Sequence, residues 1–460
     1  MSAAVNAGAR LDRLPVSGFH WRILSLIGAG MFLDGFEIYL AGGVLGALVK
    51  SGWSDMAHNG QFISATFLGM MLGAWVAGVV GDHYGRRFSY QINLLIFGLA
   101  SLAGALAPSI GWLIVARFFM GIGLGAEIVV GYATLSEFVP PVARGKWIAG
   151  LAVCTNSALL VSALTSYFII PSFGWRWMFV ITGVGALIVW YLRKAMPESP
   201  RWLESKGRFQ EAEQVMSAIE AEVSRTATLP APLVRTESVA ASVMRPLVTI
   251  FSRQLLPRTI VASLIACGIN AGVYGFIAWM PTFFVKQGLS IVTSLGYTTF
   301  MSFGGPIGAL IALVAADRAG RKPVLIVTSL VAIAIGLAYP YVRETVPFIA
   351  MGFALVTAIY VLIGVGFAIY MPELFPTDLR MRGVGFCNTL GRAVAMLTPY
   401  AVVPMFAAQG VGGVAGLIAA LLAVMCLAIW TLGIETRRQS LEALLPDGQP
   451  LTTEAATVRV

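Results

Sequence analysis

Four charged side chains that could bind ions lie deep within long apolar stretches of the sequence. Asp34 and Glu37 lie in MFLDGFEIYL, and Glu127 and Arg392 interrupt two other stretches. At ~1.5 Å per helical residue, Asp34 lies ~18 Å from the charged end of its stretch, and Glu127 and Arg392 lie ~15 Å from theirs. The hydrocarbon core of a membrane is ~30 Å thick, so these three residues are predicted to lie near its midplane.

The types of these residues indicate two different tasks. An unpaired charge at the midplane costs at least ~2.5–3.5 kcal/mol, so such groups are functional candidates by default. Asp34, Glu37 and Glu127 can take up and release protons and are candidate proton-coupling residues. Arg392 carries a planar, permanently charged guanidinium that suits a substrate carboxylate. The alternative is that these groups form structural ion pairs that hold helices together.

Helices long enough to cross a membrane must position these side chains. The chain has 460 residues, of which 58% are hydrophobic and 12% are charged, whereas soluble domains contain roughly 25% charged residues. We count twelve apolar runs, of the length and composition that are typical of transmembrane helices. The first run is too long for a cleavable signal and lacks a small-residue cleavage site. The sequence therefore predicts an all-α membrane protein with twelve transmembrane helices.

The basic residues are distributed unevenly between the two sides of the membrane. Of the 31 Lys and Arg residues, 25 lie in the tails and even-numbered loops, four lie in the odd-numbered loops and two lie within spans. Positive charge is enriched in cytoplasmic loops, so both termini are predicted to be cytoplasmic. The net charge of +9 is thereby explained without a nucleic-acid partner. The Cys and His residues form no metal-binding pattern, so no metal or cofactor is expected.

An internal repeat divides the chain into two similar halves. EFVPPVARG, which begins at Glu137, matches ELFPTDLRMRG, which begins at Glu373, at an offset of 236 residues; GDHYGRR matches ADRAGRK at an offset of 235. Repeated landmarks in the same order predict two pseudo-symmetric six-helix bundles. We place the N-terminal half at residues 1–193, a cytoplasmic linker at 194–257, the C-terminal half at 258–436 and a cytoplasmic tail at 437–460.

The repeat also identifies polar partners for the charged residues at the midplane. At an offset of 236, Asp34 corresponds to Asn270 and Arg392 corresponds to Asn156. Transporter sites of this kind lie near the midplane between the repeats. The predicted cavity residues, besides Arg392, are Asn156, Asn270, Asn388, Phe36, Tyr39, Tyr274, Trp279 and Tyr370. Hydrogen bonding between helices is the alternative for the asparagines, and packing is the alternative for the aromatic residues.

The same motifs carry a family resemblance over nearly the whole chain. GDHYGRR, RFFMGIGLG, EFVPPVARG, PESPRWL and ETRRQSLEAL, in this order, resemble the motifs of the sugar-porter-like branch of the major facilitator superfamily. The pattern is most similar to that of the aromatic-acid/proton symporters and the nicotinate transporters. The resemblance implies a transporter that works by alternating access, and not an enzyme with catalytic residues.

The resemblance also implies that charged residues in the loops stabilise one facing state over the other. The implied gating residues are Asp82, Arg86, Arg87, Glu137 and Arg144 in the first half, and Asp317, Arg321, Glu373 and Arg380 in the second. Arg117 lies near the predicted periplasmic end of its helix, where it would act as a gate or pair with the first helix. The alternative is that the loop charges only set the topology and form weak surface ion pairs.

The residue pattern favours an organic anion over a sugar. The positions where sugar porters carry glutamines hold Ala152, Leu264 and Ile265, so amide groups for many hydroxyls are missing. We rank nicotinate-like and benzoate-like monocarboxylates first, other organic acids second, and sugars or polyols third. A facilitative uniporter is the mechanistic alternative to a proton symporter. We expect a monomer in the bacterial inner membrane, whose partners are the substrate, a proton and the lipid bilayer.

Overall fold

The computed structural model describes residues 6–231, 247–376 and 379–437, and every regular element within these ranges is helical. The side chains of Asp82 and Arg144, two predicted gating residues, lie outside the described part. The same holds for most of the predicted tail. Each half of the chain contributes six long apolar helices, which we number α1 to α12.

In the N-terminal half, the second and third helices begin at residues that form a cap or a turn. Asp55 Oδ1 accepts a hydrogen bond from the backbone N–H of His58 at 2.8 Å, which is the usual N-cap arrangement. Gly85, at φ 103°, makes the sharp turn between the second and third helices. The helices are α1 (Gly18–Lys50), α2 (Met56–Tyr84), α3 (Arg86–Ala105), α4 (Ile110–Phe138), α5 (Pro141–Phe173) and α6 (Arg176–Leu192).

The C-terminal half repeats this arrangement with more interruptions. Gly320, at φ 97°, matches the turn at Gly85. The helices are α7 (Leu256–Lys286), α8 (Ile291–Ala319), α9 (Arg321–Ala338), α10 (Thr345–Glu373), and α11 and α12, which share the segment Arg380–Leu432. That segment breaks at Gly410 (φ 64°, ψ −154°), so it supplies two spans. The predicted twelve-helix, two-bundle fold is confirmed.

Two helices form a cap on the first half, at the end that the charge pattern predicts to be cytoplasmic. It consists of the short helix Ala7–Asp12 and the linker helix Phe209–Ser224. Arg10 bonds to Glu213 at 2.6 Å and to Glu220 at 2.7 Å. Apolar residues of both helices pack into one cluster with the end of the first bundle that lies near the N-terminus. The amphipathic stretch of the linker therefore docks onto the first half.

The two halves meet at the end of the bundle opposite the chain termini, which is the predicted periplasmic end. Ser64 Oγ in α2 donates to the carbonyl of Met396 in α11 at 2.7 Å. Thr299 Oγ1 in α8 donates to the carbonyl of Ala163 in α5 at 3.0 Å. A Cβ built on Gly42 in α1 would lie 3.2 Å from the carbonyl oxygen of Ala278 in α7. Close backbone approach of this kind seals the bundle at this end.

Candidate transport site

Asp34 lies at the centre of the first bundle with no hydrogen-bond partner for its carboxylate. Its side chain is 1% exposed, and within the described ranges neither Oδ1 nor Oδ2 has a partner. Gly30, Asp34 and Glu37 follow one another at helical spacing along one face of α1. Each of the other two positions contacts a buried ion pair, so Asp34 lies between the two pairs.

The first buried pair joins α1 to α4. Glu37 Oε1 is bonded to Nη1 of Arg117, and the two side chains are 0% and 2% exposed. Arg117 Nε also donates to Thr66 Oγ1 at 3.1 Å, and its guanidinium lies 4.4 Å from the ring centroid of Phe62. The structure thus places Arg117 in a pair with the first helix, which is one of its two predicted positions, and ties Glu37 into that pair.

The second buried pair joins α4 to the end of α6. Glu127 Oε1 lies 2.5 Å from Nη1 of Arg193, and both side chains are 1% exposed. Sequence reasoning placed Arg193 at the last position of the N-terminal half and gave it no role. Its position at the end of an apolar run was the available signal, but arginines at such boundaries usually extend to the membrane surface.

Among the described residues of the first bundle, the buried charges do not balance when all of them are ionised. Three carboxyl groups, of Asp34, Glu37 and Glu127, face two guanidinium groups, of Arg117 and Arg193. Within the described part of the chain, two of the acids are paired with a guanidinium and Asp34 is not. An uncompensated charge in a dry interior is strongly unfavourable. One proton on this cluster makes it neutral.

Arg392 lies on α11 and reaches across to the first half. Its Nη1 is 3.4 Å from the carbonyl oxygen of Met70 in α2, and it forms no ion pair with a carboxylate in the described part of the chain. Asn270 Nδ2 donates to the carbonyl of Ala266 at 2.8 Å. A Cβ on Gly391 would lie 2.7 Å from the same nitrogen, so Asn270 packs directly against α11.

The remaining predicted polar residues, Asn156 and Asn388, are partly buried on α5 and α11. Arg392 and Asn388 are one helical turn apart, so they share a face of α11. No carboxylate within the described ranges neutralises this part of the interface. It can therefore accept an anion.

A small cavity lies between the halves, above Asp34 toward the sealed end. Its volume is about 50 Å³, which is too small for a typical organic ligand pocket of several hundred Å³. Tyr39 from α1 and Tyr274 from α7 both line it, together with the hydroxyl residues Ser166, Thr298 and Ser302. The structure thus brings two of the predicted aromatic residues to one small cavity.

The other predicted aromatic residues lie elsewhere in the packed interior. Phe36 is 3% exposed and belongs to the core. Trp279 stacks on Phe283 with an interplanar angle of 19°. Tyr370 donates its hydroxyl to the carbonyl of Ile434 at 2.7 Å, at the end of the bundle that carries the termini. None of Phe36, Trp279 and Tyr370 lines the small cavity in this state.

Three of the predicted gating residues of the first half, Arg86, Arg87 and Glu137, are described, and they lie at the turn between α2 and α3. Arg86 Nε pairs with Glu137 at 3.1 Å. Glu198, just after α6, accepts hydrogen bonds from the backbone N–H groups of Arg86 and Arg87 at 3.0 and 3.1 Å. It caps the start of α3, where the helix dipole favours a negative charge. Burial nevertheless raises the pKa of Glu198, against the effect of these backbone hydrogen bonds.

The second half repeats this junction with its own residues. Arg321 pairs with Glu373 at 3.2 Å and with Asp317 at 3.3 Å. Glu435 accepts hydrogen bonds from the backbone N–H groups of Arg321 and Lys322, both at 3.0 Å. Arg380, the remaining predicted member, is the first residue of α11. The two junctions therefore have the same construction at equivalent positions.

The fold, its two similar halves and the charged junctions define a secondary transporter, and the chain belongs to the Major Facilitator Superfamily, whose model matches residues 27–399. It is 38% identical over 443 residues to the inner membrane metabolite transport protein YdjE of Escherichia coli, covering 95% of this chain and 98% of the relative. It is 32% identical to the niacin transporter NiaP of Acinetobacter baylyi, with 95% and 99% covered. A crystal structure of a D-xylose-proton symporter matches with a TM-score of 0.72 at 18% identity, covering 91% of this chain and 99% of that one. The protein is thus a multi-pass membrane transporter.

Proposed function

We propose that the protein is a symporter that carries a small aromatic monocarboxylate, with nicotinate as the first candidate, together with one proton. The observation that supports proton coupling is the buried, unpartnered carboxyl group of Asp34 in a cluster with one more acid than base. Each time the halves close around the site, this cluster becomes dry. Closure is then favourable only after Asp34 has bound a proton.

Support for an organic anion comes from the opposite half. Arg392 is a partly buried cation. In the described structure, the only hydrogen bond of its guanidinium is to a backbone carbonyl. A carboxylate can accept two parallel hydrogen bonds from such a group. The relatives that carry niacin favour a pyridine carboxylate as the first compound to test. The tyrosines of the small cavity, Tyr39 and Tyr274, offer aromatic faces and hydroxyl groups to such a substrate.

Uptake into proteoliposomes tests both parts of the proposal. Nicotinate, benzoate, shikimate and glucose are supplied with and without an inward proton gradient. We expect the gradient to drive accumulation of nicotinate or benzoate. Asp34→Asn should abolish this accumulation while exchange of labelled for unlabelled substrate continues. Transport of glucose alone would contradict the proposal that the substrate is an organic anion. Uptake that does not depend on the proton gradient would indicate a facilitative carrier.

A further inference from the structure

Arg193 is fixed to the backbone of α1 as well as to Glu127. Its Nε donates to the carbonyl of Leu26 at 2.8 Å, and its Nη2 donates to the carbonyl of Ile27 at 2.9 Å. A third nitrogen, Nη1, lies 2.5 Å from Glu127 Oε1. Three nitrogens of the guanidinium are thereby engaged, so the charge is held at one place between α1, α4 and α6.

The absence of a side chain at position 30 makes room for this arrangement. A Cβ built on Gly30 would lie 2.7 Å from Glu127 Oε1 and 2.8 Å from Arg193 Cζ, closer than real carbon atoms approach. The ion pair thus lies directly on the surface of α1. Asp34 is the next residue on that face, one helical turn further along.

Several charged groups act on Asp34 across this small space. Glu127 from α4, Arg193 from the end of α6 and Glu37 from α1 itself all lie close enough to interact with it electrostatically. The ring of Tyr90 from α3 lies 5.5 Å from Arg193 Cζ and covers the other side of the guanidinium. Arg117 is already bonded to Glu37. Arg193 is therefore the cation that interacts with both Asp34 and Glu127.

We propose that Arg193 is a positioning residue that assigns the exchangeable proton to Asp34. Because Arg193 is bonded to Glu127, that acid stays ionised, and the proton needed for neutrality resides on Asp34. The balance is one proton, bound by Asp34 from water on one side of the membrane and released to water on the other. The role of this proton in transport rests on the proposed symport, whereas its location does not.

Infrared spectroscopy of the purified full-length protein at neutral pH tests the location directly. A protonated carboxyl group absorbs at a C=O frequency distinct from that of a carboxylate, whether or not substrate is present. We expect a protonated-carboxyl band whose frequency shifts in Asp34→Glu and stays unchanged in Glu127→Asp, because both variants keep the number of buried acids. In an Arg193→Gln background, Glu127 loses its cation and should contribute a second band, which Glu127→Gln removes. Arg193→Lys, which keeps the charge, should restore the single band.

A second variant tests the inference without deleting the arginine. Gly30→Ala forces Arg193 and Glu127 apart and should also protonate Glu127. Gly28→Ala is the matched control, because its Cβ would meet only ordinary contacts, 3.6 Å from Cys154 Sγ and 3.7 Å from Leu151 Cδ1. The proposal is overturned when Glu127→Asp shifts the band and Asp34→Glu does not, or when neither Arg193→Gln nor Gly30→Ala changes the spectrum.

The same spectra separate this inference from the proposed symport. Gradient-independent uptake by the wild-type protein would end the symport proposal and leave the assignment of the proton intact. Normal proton-driven uptake with the band assigned to Glu127 would retain symport and remove the positioning role of Arg193.

Discussion

The pair formed by Glu37 and Arg117 provides the sharpest energetic test of the buried charges. Its two side chains are 0% and 2% exposed, so replacing one partner leaves the other charge dry and unpaired. Breaking a buried pair in this way costs about 3–5 kcal/mol. Arg117 would also lose its contact with the ring of Phe62, which contributes about 0.5–2 kcal/mol for a cation over an aromatic face. Glu37→Gln and Arg117→Met should therefore each destabilise the protein strongly.

The double variant should be more stable than the sum of the single variants predicts. Two neutral side chains of similar volume leave no buried charge, so we expect a coupling free energy of about 2–3 kcal/mol. The free energy of unfolding is measured in mixed micelles at increasing SDS. The exposed pair Arg208–Glu211, at 2.6 Å, is the control and should show no measurable coupling. Equal, additive losses in the buried cycle would refute the reasoning.

Three further predictions concern separate parts of the molecule. Arg392→Lys keeps the charge and loses the planar fork, so the affinity for the carboxylate substrate should fall about tenfold in competition uptake; unchanged affinity would remove its assigned role. Glu198→Ala and Glu435→Ala each uncap a helix at one junction and should slow exchange at equal expression, while the glutamine variants retain more activity. For the cap, burial alone would raise the pKa of Glu220, but the hydrogen bonds from Arg10 and Arg13 outweigh it and lower that pKa. A carboxyl group with a lowered pKa stabilises docking at any pH above its ordinary pKa. The protection of the Ala7–Asp12 amides against hydrogen exchange, relative to the unstructured chain at the same pH, should therefore decrease as the pH falls below about 4. Arg10→Ala should show this weak protection already at pH 7.

Depth in the membrane could be predicted from the sequence because it follows from counting residues along a helix. This count found Asp34, Glu37 and Glu127 as charges within spans, and the structure buries all three. Rotation about the helix axis is harder, because a few tens of degrees decide whether a side chain meets the cavity or the core. Phe36 and Tyr39 are three residues apart, yet only Tyr39 lines the cavity.

Arg193 was missed for a different physical reason. An arginine at the boundary of a span normally reaches the membrane surface with its long side chain. Here the side chain turns inward instead, because Gly30 leaves space on α1 and two carbonyl groups accept its hydrogen bonds. That choice depends on packing between three helices, which no single stretch of sequence contains. The same limit applies to the size of the acid excess in the first bundle, which comes to one acid only when Arg193 is counted.

The repeat shows which parts of the transporter are symmetric and which are specialised. The junctions at the helix turns are alike in both halves, as the pairs Arg86–Glu137 and Arg321–Glu373 illustrate. The buried charges are not alike. At an offset of 236 residues, the counterparts of Asp34, Glu37, Arg117, Glu127 and Arg193 are Asn270, Val273, Phe353, Ile363 and Ile429.

This difference follows from what each part must do under the proposed mechanism. Both halves rock against each other, so both need the same junctions to set the two facing states. Proton binding needs a single dry acid, and duplicating the cluster would bury a second uncompensated charge at considerable cost. Arg392 is the reverse case, because at this pair of equivalent positions the second half carries the charge and the first half carries the neutral Asn156. The proton and the anion are therefore assigned to opposite halves, and neutralising one charge in each half is the common condition for closing the interface between them.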